Sequence, residues 1–444
     1  MSSFVVRPLP YLKGIVSVPG DKSIAHRSLI LSAIALGTTK INNFPANNDC
    51  LFTLEAFRRL GVKIKYNRQE ETLTVSGKGL SGLKAPVRPI FVGESGTTLR
   101  LLLGVLAGCG FTAKLKAAKS LSKRPMLRVT APLRMMGAEI SASHLPGGRT
   151  EEYPPLTIKG GGLKPISYKM PVASAQVKSA ILLAALFAEG DTTVLETVKT
   201  RDHTERLLKL FKAEVKVKGN KIVVKGSPKL LSPRVITVPG DISSAAFFMV
   251  LAAILPDASI TIKNVSLNPS RSGVIRVLKR MGACISISAA DTGFSKFEPM
   301  GSVTVKSGPL RATVVKKEEI PSLIDELPVL MVAAANAKGR SIFEGVQELR
   351  VKETDRIESM TENLSRMGVS VKAVRTARSE KIIVEGAKQL IGTKVRSFGD
   401  HRTAMSMIIA GMNAKGPTLI DDVGCISKSF PGFLSALKGL SRSQ

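Results

Sequence analysis

The residue types in this chain that are best suited to chemistry gather at a few turns. Gly20-Asp21-Lys22-Ser23-Ile24-Ala25-His26-Arg27 sets two cations, an imidazole and a hydroxyl in the first turns of a stretch that reads as a helix capped by Asp21. A helix start already carries positive partial charge and favours an anion by about 0.3–1 kcal/mol. Cations crowded there make sense around a bound phosphate or carboxylate. Gly93-Glu94-Ser95-Gly96-Thr97-Thr98-Leu99-Arg100 is a second such start, with glycines that let the backbone approach an anion closely. Ser174-Ala175-Gln176-Val177-Lys178 adds neutral donors, Asp325 and Glu326 add carboxylates, and Gly399-Asp400-His401-Arg402 returns to cations. Lys123-Arg124, Arg201-Asp202-His203-Thr204-Glu205, Arg271, Lys352-Glu353-Thr354-Asp355-Arg356 and Lys428-Ser429 stand in connecting segments. This inventory suits a substrate with two or more phosphate or carboxylate groups, which a guanidinium grips with paired bonds. Isolated acids among the cations, such as Asp49, Asp325 and Glu353, are candidate proton carriers. The sequence has no G-x-x-x-x-G-K-[ST] loop, G-x-S-x-G elbow or metal-ligand cluster. NTP-driven, triad and metal-dependent chemistries are therefore not expected.

Most of these polar starts precede a run that is apolar nearly all round, at 28–36, 99–107, 179–188, 244–255, 327–335 and 404–412. A helix hydrophobic on every side is buried. Gly37, Gly108, Gly190 and Gly339 read as the C-terminal stops of such helices. Between them lie six amphipathic helices, each expected to end just before Gly61, Gly137, Lys212, Gly282, Gly368 or Gly439 and to lead into a strand. Alternating segments at 222–225, 303–306 and 381–385 read as strands. The repeat is strand, buried helix, strand, exposed helix, then further strand. Val18-Pro19-Gly20-Asp21 recurs as Val238-Pro239-Gly240-Asp241. The expected fold is therefore α/β, with two similar domains, each of three repeated βαβαββ-type units with buried parallel helices. The expected domains are 1–20 with 240–444, and 21–239, with crossings near 19–21 and 239–241 and polar helix starts lining a cleft between them.

The formal charge of +31 is compatible with nucleic acid, a membrane surface or small anions. Scattered lysines, no Trp and only 4 Tyr argue against base stacking, so small anionic substrates are expected rather than a specific nucleic acid. Four cysteines far apart imply neither a disulfide framework nor a zinc site, and fit a reducing compartment. The N-terminal stretch lacks an apolar signal region, and the apolar runs fall short of the roughly 18 residues of a membrane span. A soluble, cytoplasmic monomer is the expectation.

Taken in order, Gly20-Asp21-Lys22-Ser23 with Arg27, Ser174-Ala175-Gln176, Arg201-Asp-His-Thr-Glu205, Leu349-Arg-Val-Lys352-Glu353-Thr-Asp-Arg356, Asp400-His-Arg402 and Lys428-Ser-Phe-Pro resemble the EPSP synthase family over essentially the whole chain. The resemblance implies the enolpyruvyl transferase fold, an inside-out α/β barrel of two three-unit domains. It implies transfer of the enolpyruvyl group of phosphoenolpyruvate to the 5-hydroxyl of shikimate 3-phosphate, with release of phosphate and without metal or organic cofactor. By the same resemblance Lys22, Ser23, Arg27, Ser174, Ala175, Gln176, Arg201, Asp325 and Lys352 would hold shikimate 3-phosphate. Lys22, Gly96, Arg124, Gln176, Arg356, Arg402 and Lys428 would hold phosphoenolpyruvate. Asp325, Glu353 and Lys22 would be catalytic, Asp325 accepting the hydroxyl proton and Glu353 delivering one to the methylene carbon. Ser174-Ala-Gln, Arg201-Asp-His-Thr-Glu and Asn268-Pro-Ser-Arg271 lean toward the family's second, glyphosate-tolerant class. The chain departs from the family at Glu94, where Asn is expected, and from that class at Gly96 and Ser270, where Ala and Thr are usual. Gly96 leaves room for glyphosate, so greater sensitivity than the class motifs suggest is expected. The related UDP-N-acetylglucosamine enolpyruvyl transferases carry Lys-Asn at the first helix start and a loop cysteine, neither of which this sequence shows. A charge-driven polyanion-binding protein is the alternative from another class.

Overall fold

Two kinds of helix alternate along the chain, and the difference between them lies in their sequences. The computed structural model describes residues 3–144, 150–289, 297–377 and 379–442. Within them the helices are α1 (Lys22–Ile34), α2 (Asn48–Arg59), α3 (Gly96–Ala107), α4 (Leu127–Met135), α5 (Ala175–Ala185) and α6 (His203–Leu210). They continue with α7 (Ile242–Ile254), α8 (Gly273–Arg280), α9 (Leu327–Ala335), α10 (Arg356–Arg366), α11 (His401–Met412) and α12 (Phe433–Arg442). The odd-numbered helices are apolar all round and almost wholly buried; α9, for example, hides all nine of its side chains. Each fully buried Leu, Ile, Val or Phe contributes about 1.5–3 kcal/mol. The even-numbered helices carry Lys and Arg on one side and bury only the other.

The chain forms two compact units, Met1–Asp21 with Pro239–Gln444 (the discontinuous unit) and Lys22–Val238 (the inserted unit). The inserted unit holds three four-stranded sheets of one design. One runs Ile90–Phe91, Thr112–Lys116, Tyr153–Lys159, Glu139–Ser143; its first pair is parallel across α3 and the rest are antiparallel. Ser167–Lys169, Asp191–Leu195, Lys221–Lys225 and Val215–Lys218 repeat it around α5. The third takes Val235–Thr237 from the far end of the segment to lie parallel to Leu36–Asn42. The discontinuous unit repeats the plan twice, first with Lys13–Ser17 parallel to Ser259–Ser266 and then with Val314–Val315 parallel to Arg340–Glu344. The last repeat departs from the expected six equal units. It is a three-stranded sheet in which Phe4–Val6 lies antiparallel to Thr418–Ile420, beside a short pair, Leu390–Ile391 with Ala414–Lys415.

The two Pro-Gly-Asp turns pair with one another. Gly20 bridges Gly240, the Asp21 N–H donates to the Pro239 carbonyl at 2.7 Å, and the Asp241 N–H donates to Pro19 at 2.8 Å. The strand before the first turn pairs with the strand after the second, and the strand before the second pairs with the strand after the first.

Two expectations about helix ends are corrected. Of the four glycines read as stops, only Gly108 caps a helix. Gly37 lies inside the strand Leu36–Asn42, and Gly190 and Gly339 adjoin strands some residues after their helices have ended. Carbonyls at or one residue past the ends of three buried helices are met instead by the residues just beyond a later strand: Ala35, Leu186 and Ala335 accept from the N–H groups of Gly79, Ser227 and Ala387. That crossing requires glycine beside it, because a Cβ at Gly77, Gly226 or Gly386 would lie 2.1, 1.9 or 1.6 Å from a carbonyl oxygen at the helix end. The amphipathic helices do end as expected at Gly61, Gly137, Gly282 and Gly368, all with positive φ, and Lys212 adopts the same conformation at φ 68. Gly439 instead lies within α12, which runs on to Arg442.

Candidate active site

In the inserted unit three buried helix starts are tied together by hydroxyls. His26 Nδ1 lies 2.6 Å from Thr53 Oγ1, which is 2.7 Å from Thr98 Oγ1, itself 2.7 Å from Ser95 Oγ. Burial, reinforced by Lys22 and Arg27, holds His26 well below its usual pKa, so the ring is neutral. Lys22 Nζ sits 2.9 Å from Asp49 Oδ2, both side chains partly open to solvent. Arg27 is buried; Nε donates to Thr204 Oγ1 at 2.7 Å, NH2 to Ser179 Oγ at 2.6 Å and NH1 to the Ser23 carbonyl at 2.9 Å. Arg201 reaches Ser23 Oγ at 3.4 Å. Gln176 accepts from Arg100 NH1 at 2.7 Å and donates to Thr97 Oγ1 at 2.9 Å. A Cβ on Gly96 would lie 3.0 Å from Arg100 NH1 and 3.1 Å from Arg124 NH1. Ser174 caps α5 by accepting from the Val177 N–H, and the Ala175 carbonyl accepts from Ser179 Oγ at 2.6 Å. Glu94 accepts from the Ser120 hydroxyl at 2.6 Å.

Behind these groups lies a buried ion triad. Lys178 Nζ is 2.7 Å from Glu205 and 3.1 Å from Glu196, and all three side chains are at least 95% buried. Glu196 also accepts from the Thr200 N–H at 3.0 Å, which fixes the residue before Arg201. Burial raises the Glu205 pKa, and Lys178 opposes it.

In the discontinuous unit Arg356, 1% exposed, joins three carboxylates: Nε donates to Asp400 at 2.9 Å, NH2 to Glu353 at 2.6 Å and NH1 to Asp325 at 3.4 Å. Asp400 caps α11, accepting from the N–H groups of Arg402 and Thr403 at 2.7 and 3.1 Å. Although burial pushes its pKa up, Arg356 and His401 hold it below the ordinary value. Arg402 NH1 donates to the Asp325 carbonyl at 2.9 Å, with Nε 3.8 Å from the same residue's carboxylate. Lys428 Nζ donates to the Gly399 carbonyl at 3.1 Å. Lys352 is driven down to about 8, first by burial; Asp325 opposes the shift and Arg356 adds to it.

The expected site residues thus form two sets. Lys22, Ser23, Arg27, Arg201, Gly96, Arg124, Ser174, Ala175 and Gln176 belong to the inserted unit. Asp325, Lys352, Glu353, Arg356, Arg402 and Lys428 belong to the discontinuous unit. Each set places cations and donors at buried helix starts; the second adds two partly exposed carboxylates beside them, an arrangement able to bind anions and move protons. Arg100 and Lys178, named above in two of the polar helix starts but given no ligand role, join the first set through Gln176 and through the buried acids Glu196 and Glu205.

Comparison with known proteins gives these sets a context. Residues 6–437 match the family model for EPSP synthase (3-phosphoshikimate 1-carboxyvinyltransferase). The 3-phosphoshikimate 1-carboxyvinyltransferase of Desulforamulus reducens is 47% identical, covering 98% of each chain, and that of Citrifermentans bemidjiense is 46% identical over 99% of each. The solved EPSP synthase of Acinetobacter baumannii superposes with a TM-score of 0.86 at 42% identity, over 99% of this chain and 98% of that one. The enolpyruvyl transferase NikO of Streptomyces tendae, 17% identical over 99% of this chain and 97% of its own, shares the fold at a TM-score of 0.76.

Proposed function

The chain belongs to the EPSP synthase family, and from that premise we propose how its two residue sets carry out the family's reaction. The enzyme transfers the enolpyruvyl group of phosphoenolpyruvate to the 5-hydroxyl of shikimate 3-phosphate and releases phosphate. Shikimate 3-phosphate is held by Ser23, Arg27, Ser174, Gln176, Arg201 and Lys352, and phosphoenolpyruvate by Lys22, Gly96, Arg124, Gln176, Arg356, Arg402 and Lys428. The observation that carries the assignment of roles is the cluster around Arg356, which holds Asp325 and Glu353 on one guanidinium.

Asp325 takes the proton of the 5-hydroxyl as its oxygen attacks C2 of phosphoenolpyruvate, and a proton from Glu353 goes to the methylene carbon. Positive charge that grows at C2 is stabilised by the carboxylates nearby. Loss of a methyl proton, with departure of phosphate, restores the double bond on the new ether. Glu353 must be protonated to act, and Arg356 NH2 at 2.6 Å favours the carboxylate. The anionic substrate competes for Arg356, which loosens that hold and raises the proton affinity of Glu353. Its partial exposure, 27% of the side chain, lets solvent supply the proton.

Phosphate release measured with both substrates tests the reading on Asp325→Ala, with shikimate 3-phosphate binding followed by calorimetry. A loss of about 10²–10⁴-fold in kcat with binding retained is expected. Turnover within tenfold of wild type would refute the role of Asp325.

A further inference from the structure

Arg271 is the most fully buried arginine that the reaction above does not use. Its side chain is 2% exposed, yet no phosphate or carboxylate ligand has been assigned to it. Instead it faces four carboxylates of the discontinuous unit. NH2 lies 3.4 Å from Asp241, 3.9 Å from Asp21 and 3.8 Å from Glu326, while NH1 lies 3.8 Å from Asp325. NH2 also donates to Ser243 Oγ at 2.7 Å, and that hydroxyl donates to Glu326. Nε and NH1 have no hydrogen-bond partner among the described residues.

The division of labour between the two terminal nitrogens is the informative feature. NH2 is engaged with both Pro-Gly-Asp turns, through the acids that end them. NH1 faces the carboxylate that receives the substrate proton. A planar guanidinium is rigid, so fixing one nitrogen fixes the direction of the other. Around Asp325 the further charged groups are Arg356 at 3.4 Å, Arg402 at 3.8 Å and Lys352, with Glu326 and Glu353 as the neighbouring acids. Arg356 and Arg402 sit where the anionic substrate competes for them. Arg271 is buried and has no such competitor.

We propose that Arg271 is a positioning residue for the proton acceptor, tying the Asp325 carboxylate to the paired Pro-Gly-Asp turns. When Arg356 and Arg402 turn to the substrate, Arg271 keeps Asp325 aimed and ionised. This rests on the assignment of Asp325 as the proton acceptor.

The test compares Arg271→Lys and Arg271→Gln with wild type, using kcat, KM for each substrate and the pH profile of kcat. Lysine keeps the charge but has one nitrogen, so it cannot serve both the turns and Asp325. Arg271→Lys is expected to fold, to lose at least about tenfold in kcat and to keep both KM values within about threefold. Its acid limb should stay in place. Arg271→Gln removes a cation 3.8 Å from Asp325, so the acid limb should move up by about one pH unit. An Arg271→Lys enzyme with kcat within twofold of wild type, or with raised KM and unchanged kcat, would overturn the proposal. So would failure of Arg271→Lys to fold, which would make the residue purely structural. Asp325→Ala separates the two levels. If it is active, the reading of Asp325 fails and this one with it. If it is inactive while Arg271→Lys matches wild type, only the role of Arg271 fails.

Discussion

Raising the pH from 7 to 9 should weaken binding of shikimate 3-phosphate about tenfold through a single side chain, Lys352. Burial lowers its pKa to about 8, with Arg356 adding to the effect and Asp325 resisting it. The protonated form is the one that binds an anion. With a pKa of about 8, roughly nine-tenths of the free enzyme carries that proton at pH 7, half at pH 8 and roughly one-tenth at pH 9. Losing a charge-assisted hydrogen bond costs about 1.5–3 kcal/mol, so the neutral form should bind about ten- to hundredfold more weakly. kcat/KM for shikimate 3-phosphate should therefore be flat near pH 7 and fall about tenfold by pH 9, since this ratio reports the free enzyme. A substrate phosphate, with its second pKa near 6, is already about nine-tenths doubly ionised at pH 7 and gains charge as the pH rises, so it cannot cause a fall. Cys109 and Cys425, pushed up to about 12 and about 11, do not titrate there. At saturating substrate the bound anion raises the lysine pKa, which displaces the limb in kcat to higher pH. The assay is phosphate release at subsaturating shikimate 3-phosphate between pH 6.5 and 9.5, for wild type and Lys352→Arg. Arginine stays protonated and should flatten the profile. A wild-type profile without the limb, or the same limb in Lys352→Arg, would refute the reasoning.

Gly96→Ala should separate stability from binding. Alanine at the first position of α3 gains up to about 1 kcal/mol by restricting the unfolded chain, while its methyl would stand 3.0 and 3.1 Å from NH1 of Arg100 and of Arg124. Thermal stability should hold or rise, and the KM for phosphoenolpyruvate and the inhibition constant for glyphosate should both increase severalfold; equal constants in both enzymes would dismiss the role of Gly96. Lys178→Met leaves Glu196 and Glu205 buried without their cation, which should cost about 3–5 kcal/mol and lower the melting temperature by about 10 °C. Adding Glu196→Gln and Glu205→Gln should recover much of that loss, and calorimetric melts of the single and triple variants decide the matter.

The repeat was legible because its signal is local. An apolar run with no polar face, such as that of α9, can only be buried, and Gly61, Gly137, Gly282 and Gly368 end amphipathic helices by backbone conformation alone. The misreadings at Gly37, Gly190 and Gly339 arose where a distant strand supplies what a local cap would have supplied. Nothing near Ala335 indicates that Ala387 will donate to its carbonyl. At the site, cations at helix starts were visible as misplaced charge. The carboxylates Asp325 and Glu353 stood out, with Asp49, as isolated acids among cations, and only the resemblance gave the two of them separate roles. Arg271 draws its partners from positions 21, 241, 325 and 326, and no spacing rule connects those. Arg356 was expected to be a substrate ligand, and the structure adds that it also organises three acids.

The pairing of Phe4–Val6 with Thr418–Ile420 bears on how the protein is made. On the ribosome the inserted unit has all of its strands available once residue 238 has emerged, and it can fold while synthesis continues. The discontinuous unit cannot. Its sheet at Lys13–Ser17 waits for Ser259–Ser266, and its N-terminal strand waits for a partner more than four hundred residues later. Until that partner emerges the N-terminal segment lacks its partner strand, with Val5 and Val6 on an open edge. Closure of the discontinuous unit therefore waits until residues 418–420 have emerged, and chains truncated before residue 418 lack it even when the inserted unit is intact.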